Sequence, residues 1–173
     1  MPVEVIVEEP RWQAEGLEAL AGRAASAALV HLGLDPDLWE ISLLACDDSR
    51  IMALNGDFRG RRAATNVLSW PAEDLAPEEP GARPHPPEAG IEPALGDIAI
   101  AYETCAREAQ EAGRPLADHA THLVVHAVLH LLGYDHIRDP DATLMETTEI
   151  AILGKLGVPD PYSSDIGETA PPT

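Results

Sequence analysis

The sequence predicts an α/β layer fold: a small mixed sheet of about four strands packed with about five helices. Three observations carry that expectation. Short apolar runs rich in Val, Ile and Leu recur along the chain, each bounded by Pro, Gly, Asp or Glu. Longer stretches with apolar residues three and four apart stand between and after them. No internal repeat is present, and the strand and helix patterns are mixed rather than segregated.

Each element follows from its local composition. Val3-Glu4-Val5-Ile6-Val7-Glu8 is a short alternating run and reads as the first strand. Pro10 suits a first helical position, and Leu17, Leu20, Ala24, Ala27, Ala28 and His31 continue at helical spacing until Gly33. Ile41-Ser42-Leu43-Leu44-Ala45-Cys46 reads as a second strand. The following Asp47-Asp48-Ser49 caps a short helix through Ile51, Met52 and Leu54, with a stop near Asn55-Gly56. Thr65–Trp70 is a third strand, ended by Pro71, and Leu95–Ala101 a fourth. Helices are expected over Glu103–Ala112, Pro115–Leu132 and Asp141–Leu156. Residues 71–93, rich in Pro, Glu and Ala without periodicity, read as a mobile insertion loop, and 159–173 as a disordered tail. At 173 residues the chain has room for one domain, expected over 1–158, with a core of its own.

Composition narrows the function classes. Two cysteines are too few for a disulfide framework, and there is neither a basic leader nor an apolar run of membrane-spanning length. A soluble, cytoplasmic protein is expected. The net charge of −19 argues against general polyanion binding. The window from Arg50 to Arg62 departs from that balance, with Arg50, Arg59, Arg61 and Arg62 against Asp57 alone. Arginine grips phosphate through two parallel N–H donors, so a small arginine patch counts for more than the total charge suggests.

The chemistry concentrates in H-A-V-L-H-L-L-G-Y-D-H, residues 126–136. On a helix His126 and His130 share one face. Gly133 permits the positive φ that ends a helix, and the chain then brings His136 back toward the first two. Three imidazoles from a helix and its following turn leave an open coordination position, as catalytic zinc requires. The spacing matches the metzincin protease frame except that Ala127 stands where the general-base Glu belongs. His119 and His122 continue the row toward the helix start, too far along the axis for one ion to touch all four. For these two, roles behind the ligands or toward substrate compete with that of hydrogen-bonded structural histidines, and the structural role leads.

H-A-V-L-H-L-L-G-Y-D-H resembles the H-G-x-L-H-L-x-G-Y-D-H signature of the YbeY endoribonuclease family, the bacterial rRNA maturation factors. Leu54-Asn55, Phe58-Arg59 and Thr65–Pro71 resemble that family's L-N-x-x-F-R and T-[DN]-V-L-S-F-P segments, and Leu95-Gly96-Asp97-Ile98 its L-G-D-I strand. Ala127 for Gly, Arg62 for Asp and Trp70 for Phe are departures. The resemblance implies a single-strand-specific, zinc-dependent endoribonuclease in 16S rRNA 3′-end maturation and ribosome quality control. It implies one Zn²⁺ per chain on His126, His130 and His136, with Arg59 catalytic and phosphate-binding and Arg61 a secondary RNA contact. Implied partners are single-stranded RNA (the 16S rRNA precursor), the ribosome or small-subunit proteins and a GTPase. The alternatives are a metal-dependent peptidase or other hydrolase, and a ribosome-associated binding factor with a structural zinc.

Overall fold

A computed structural model describes residues 2–59, 63–88 and 93–162, without the side chains of Phe58 and Arg59. Four strands form one mixed sheet: β1 (Val3–Val7), β2 (Glu40–Cys46), β3 (Val67–Pro71) and β4 (Ala94–Ala101). Their order is β1-β2-β4-β3. The pairs β1–β2 and β2–β4 are parallel, whereas β3 runs antiparallel to β4 at the edge. Parallel neighbours cannot be joined by a tight turn, and helices carry the chain between them.

Six α-helices accompany the sheet among the described residues: α1 (Arg11–Ala14), α2 (Leu17–His31), α3 (Asp48–Arg59), α4 (Tyr102–Ala112), α5 (Leu116–Leu131) and α6 (Asp139–Lys155). α5 is the hub, packing on α2, α4, α6 and strands β3 and β4. Ala120, Val124, Val128 and Leu131 on α5 are buried in one continuous core with Leu29 of α2, Ile41 and Leu43 of β2, Ile98 and Ile100 of β4, and Ile152 of α6. A second, smaller cluster joins Ile51 of α3 to Cys46, Leu68, Ala99 and Ala101. In β4 the neighbours Ile98, Ala99, Ile100 and Ala101 alternate between the two clusters, because successive strand residues face opposite sides of a sheet. The sheet is therefore covered on both faces, with α5 and α3 on opposite sides.

Several local expectations need correction. The helix expected from Pro10 to Gly33 is two helices, because Gly16 takes φ +66° and breaks the run between α1 and α2. The stop expected at Asn55-Gly56 does not occur, and α3 continues to Arg59. Asn55 is buried, and its side-chain amide donates to the Ala63 carbonyl at 3.0 Å. It ties the chain beyond α3 back to the helix instead of ending it.

The insertion loop contains no helix or strand over its described part, 72–88, and makes several contacts with the rest of the chain. Leu75 is buried in the main core. Arg138 donates to the carbonyls of Pro77 and Glu78, and the Gly81 amide donates to Asp141 at 2.8 Å. At the start of the tail, the Tyr162 hydroxyl donates to Glu149 on α6 at 2.8 Å. Residues 89–92 of the loop and 163–173 of the tail lie outside the described residues.

Candidate metal centre

The centre begins with how α5 ends. The Gly133 amide bonds to the His130 carbonyl at 3.1 Å and the Tyr134 amide to the Leu129 carbonyl at 3.0 Å. These two bonds form the Schellman closure of a helix C-terminus, which requires a residue with positive φ. Gly133 supplies it at φ +98°. The next few residues turn back, and the Asp135 carboxylate accepts from the His136 backbone amide at 2.7 Å, a local turn role.

His136 is thereby returned to the α5 row. The ring centroids lie 4.5 Å apart for His126–His130, 5.0 Å for His130–His136 and 5.4 Å for His126–His136. One nitrogen from each ring falls within 4.8 Å of the other two. The three residues chosen from spacing alone do converge.

Hydrogen-bond partners assign the tautomers. His130 Nδ1 faces the Tyr134 carbonyl at 2.9 Å, an acceptor only, so that nitrogen carries a hydrogen. His126 Nδ1 faces Glu149 Oε1 at 2.9 Å, again an acceptor. Burial, reinforced by the neighbouring rings of His126 and His136, pushes His130 down to about 4 and keeps it neutral at neutral pH. With their hydrogens on Nδ1, the two rings face each other through Nε2 at 3.0 Å. Two lone pairs at that separation repel unless a cation lies between them. Zinc–nitrogen bonds of about 2.0–2.1 Å in a tetrahedron place ligand nitrogens roughly 3.3 Å apart, close to the observed gap. The donor set fits a zinc-type ion, and exposed His136 leaves one side open.

Behind the ligands lies a carboxylate that sequence reasoning missed. Glu149 on α6 has only 1% of its side chain exposed. Its Oε1 accepts from His122 Nε2 at 3.0 Å and from His126, and its Oε2 accepts from Tyr162. Burial opposes its charge, but the hydrogen bonds from His122 and His126 prevail and hold its carboxyl at about 2. Its place on the apolar stripe Met145, Thr148, Ile152 was the available signal, since an acid there is buried and needs partners. His122, His126 and Glu149 are also close enough to surround an ion. In that group the Glu149 carboxylate already accepts on both oxygens, whereas the three-histidine group brings two Nε2 atoms face to face beside exposed His136.

The rest of the row is structural in its contacts. His119 bonds to Glu108 at 2.9 Å, and the Asn66 side-chain amide donates to the same oxygen at 2.9 Å. His122 bonds to Glu149 and also approaches the Tyr162 hydroxyl at 3.3 Å. Cys46 and Cys105 are buried, with their thiols directed at backbone carbonyls of Ile100 and Asn66, and neither joins a metal-type group among the described residues. Arg59 is the last residue of α3, and its side chain lies outside the described part. Arg61 and Arg62 lie wholly outside it.

A mixed four-stranded sheet, packed by a helix whose two histidines converge with a third from its Schellman turn, defines an α/β protein with a candidate three-histidine metal site. A sequence profile described as endoribonuclease YbeY matches residues 5–157. The endoribonuclease YbeY of Ruegeria pomeroyi is 60% identical over 167 residues, covering 95% of this chain and 100% of that protein. The endoribonuclease YbeY of Dinoroseobacter shibae is 58% identical over 164 residues, covering 94% and 91%. The chain belongs to the endoribonuclease YbeY family, and with it to the hydrolases that cleave RNA. A Thermotoga maritima protein of known solution structure shares the fold, with a TM-score of 0.54 at 19% identity over 96% of this chain and 99% of that one.

Proposed function

We propose that the chain is a zinc-dependent endoribonuclease specific for single-stranded RNA, acting in the cytoplasm on the 3′ end of the 16S rRNA precursor and in ribosome quality control. The observation that carries the metal part is the pair of Nε2 lone pairs at 3.0 Å, with His136 closing the third side. The RNA part rests on the family and on the arginine-rich window that includes Arg59.

Zinc, when bound, supplies a Lewis acid and lowers the pKa of water to about 7. His126, His130 and His136 hold it, and the acceptors on Nδ1 of His126 and His130 fix which nitrogen each ring presents. Arg59 binds the scissile phosphate and offsets the negative charge that builds on its non-bridging oxygens. A single strand suits a chain of net charge −19, because an unstacked strand enters a cleft without a broad basic face. The small-subunit proteins and a GTPase are the proposed partners on the ribosome.

The peptidase alternative loses ground because Ala127 stands, buried, where the general-base Glu belongs, and the carboxylate bonded to His126, Glu149, is engaged on both oxygens. The structural-zinc alternative has no cysteine at the histidines. The test pairs metal analysis with cleavage of a single-stranded RNA oligonucleotide. His136→Ala is expected to lose both metal and cleavage. Arg59→Glu is expected to keep the metal and lose about 10²–10³-fold in cleavage rate, the cost of one charge-stabilising donor. Full cleavage by either variant would overturn the assignment.

A further inference from the structure

The segment after α6 reaches back to the histidine row through one carboxylate. Tyr162 and Glu149 lie 13 residues apart, and the hydroxyl donates to Oε2 while both histidine rings use Oε1. A fully buried carboxylate with a donor on each oxygen has its plane fixed, so the direction of the His126 Nδ1–H bond is fixed too. That direction sets where His126 Nε2 points.

We propose that Glu149 is the positioning residue of the metal centre and that Tyr162 locks it, so that docking of the segment after α6 and metal affinity are coupled. The proposal rests on the three-histidine reading. Glu149 never touches the ion; it acts through His126. Tyr162 acts one step further out, through Glu149. Because coupling is reciprocal, an ion held by His126 strengthens the docking of Tyr162 by the same factor that docked Tyr162 strengthens metal retention.

Other features carry less. The cavity lined by Pro77, Pro84, Tyr134, Ile137 and Leu144 is apolar, with nothing in the structure to name its occupant. Lys155, in the last turn of α6, donates to Nδ1 of His31, in the last turn of α2, at 2.7 Å, a surface contact that marks no site.

The experiment measures zinc affinity by competition with a chromogenic chelator in the full chain, together with histidine ¹⁵N NMR of the metal-free protein. Glu149→Gln keeps the shape, and its one oxygen can still face both rings, but the charge is lost and its NH₂ meets the Tyr162 hydroxyl, which must then accept instead of donate. It is expected to weaken zinc by about 10–100-fold. Tyr162→Phe should weaken it by a smaller factor in the same direction and raise protease cleavage after α6. The NMR spectrum should show His126 as the Nδ1–H tautomer in the native chain and a mixture in Glu149→Gln. Unchanged affinity in Glu149→Gln, or an Nε2–H tautomer for native His126, would overturn the proposal. If Glu149→Gln fails to fold, Tyr162→Phe and the native tautomer still decide it. If the native chain binds no zinc, the three-histidine reading fails, while the tautomer reports on Glu149 separately.

Discussion

The Cβ that Gly133 lacks decides two things at once. An added Cβ would lie 2.7 Å from the carbonyl carbon and oxygen of Leu75, and φ is +98°. The residue thus closes α5 and admits the insertion loop against the turn. Gly133→Ala meets both penalties and is expected to cost about 1–3 kcal/mol. Thermal unfolding should show a melting temperature lower by roughly 2–10 °C. An unchanged melting temperature would mean that the loop does not press on this turn in solution. The same scale shows where sequence reasoning stopped. His126, His130 and His136 are legible because helix geometry and one glycine fix their convergence. Glu149 is half legible: its place among buried residues of α6 marks an acid in need of partners, but those partners arrive from another helix and from beyond the end of its own. Tyr162 carries no signal: a tyrosine in an aperiodic tail looks the same whether docked or free.

At the scale of elements, strands and long helices follow from local pattern, and the errors collect where a side chain serves a distant partner. Asn55 resembles a helix stop but is spent on the Ala63 carbonyl, so α3 runs on to Arg59. The insertion loop resembles free chain, yet Leu75 and the Arg138–Asp141 pair hold it. The pair also gives the loop a pH dependence. The Gly81 amide holds the Asp141 carboxyl below its usual range, burial opposes this, and the Arg138 guanidinium adds to the lowering. A depressed carboxyl contributes stability that is present above the normal carboxylate pKa. That contribution is lost as pH falls through the lower, folded-state value. Hydrogen exchange of 75–85 should therefore rise on acidification below the ordinary carboxylate range. In Asp141→Asn the same amides should exchange faster already at neutral pH. Exchange that ignores both changes would show that the loop is held by Leu75 alone.

Over the whole molecule, charge and site pull in different directions. A chain of net charge −19 whose family cleaves RNA is expected to hold that substrate through few phosphate contacts. If one to three phosphates are neutralised, the logarithm of single-stranded RNA affinity should fall against the logarithm of salt with a slope of about −0.7 to −2. Fluorescence anisotropy across a salt series measures it. A much steeper slope would reveal a basic surface larger than the Arg50–Arg62 window. Fold class was the easiest property to read at this scale, since layers follow from pattern, whereas the strand order β1-β2-β4-β3 depends on which edges meet and leaves no local mark.

Glu149 and Tyr162 also have a position in time. All four strands, and α5 with His126 and His130, precede them in the chain. Synthesis runs from the N-terminus at about 5–20 residues per second, so the sheet and the histidine row are made before the carboxylate that aims them. A nascent chain halted before residue 149 would carry the histidines without their buried acceptor. On the proposal above, the histidine row is aimed only once Glu149 and Tyr162 have both been made.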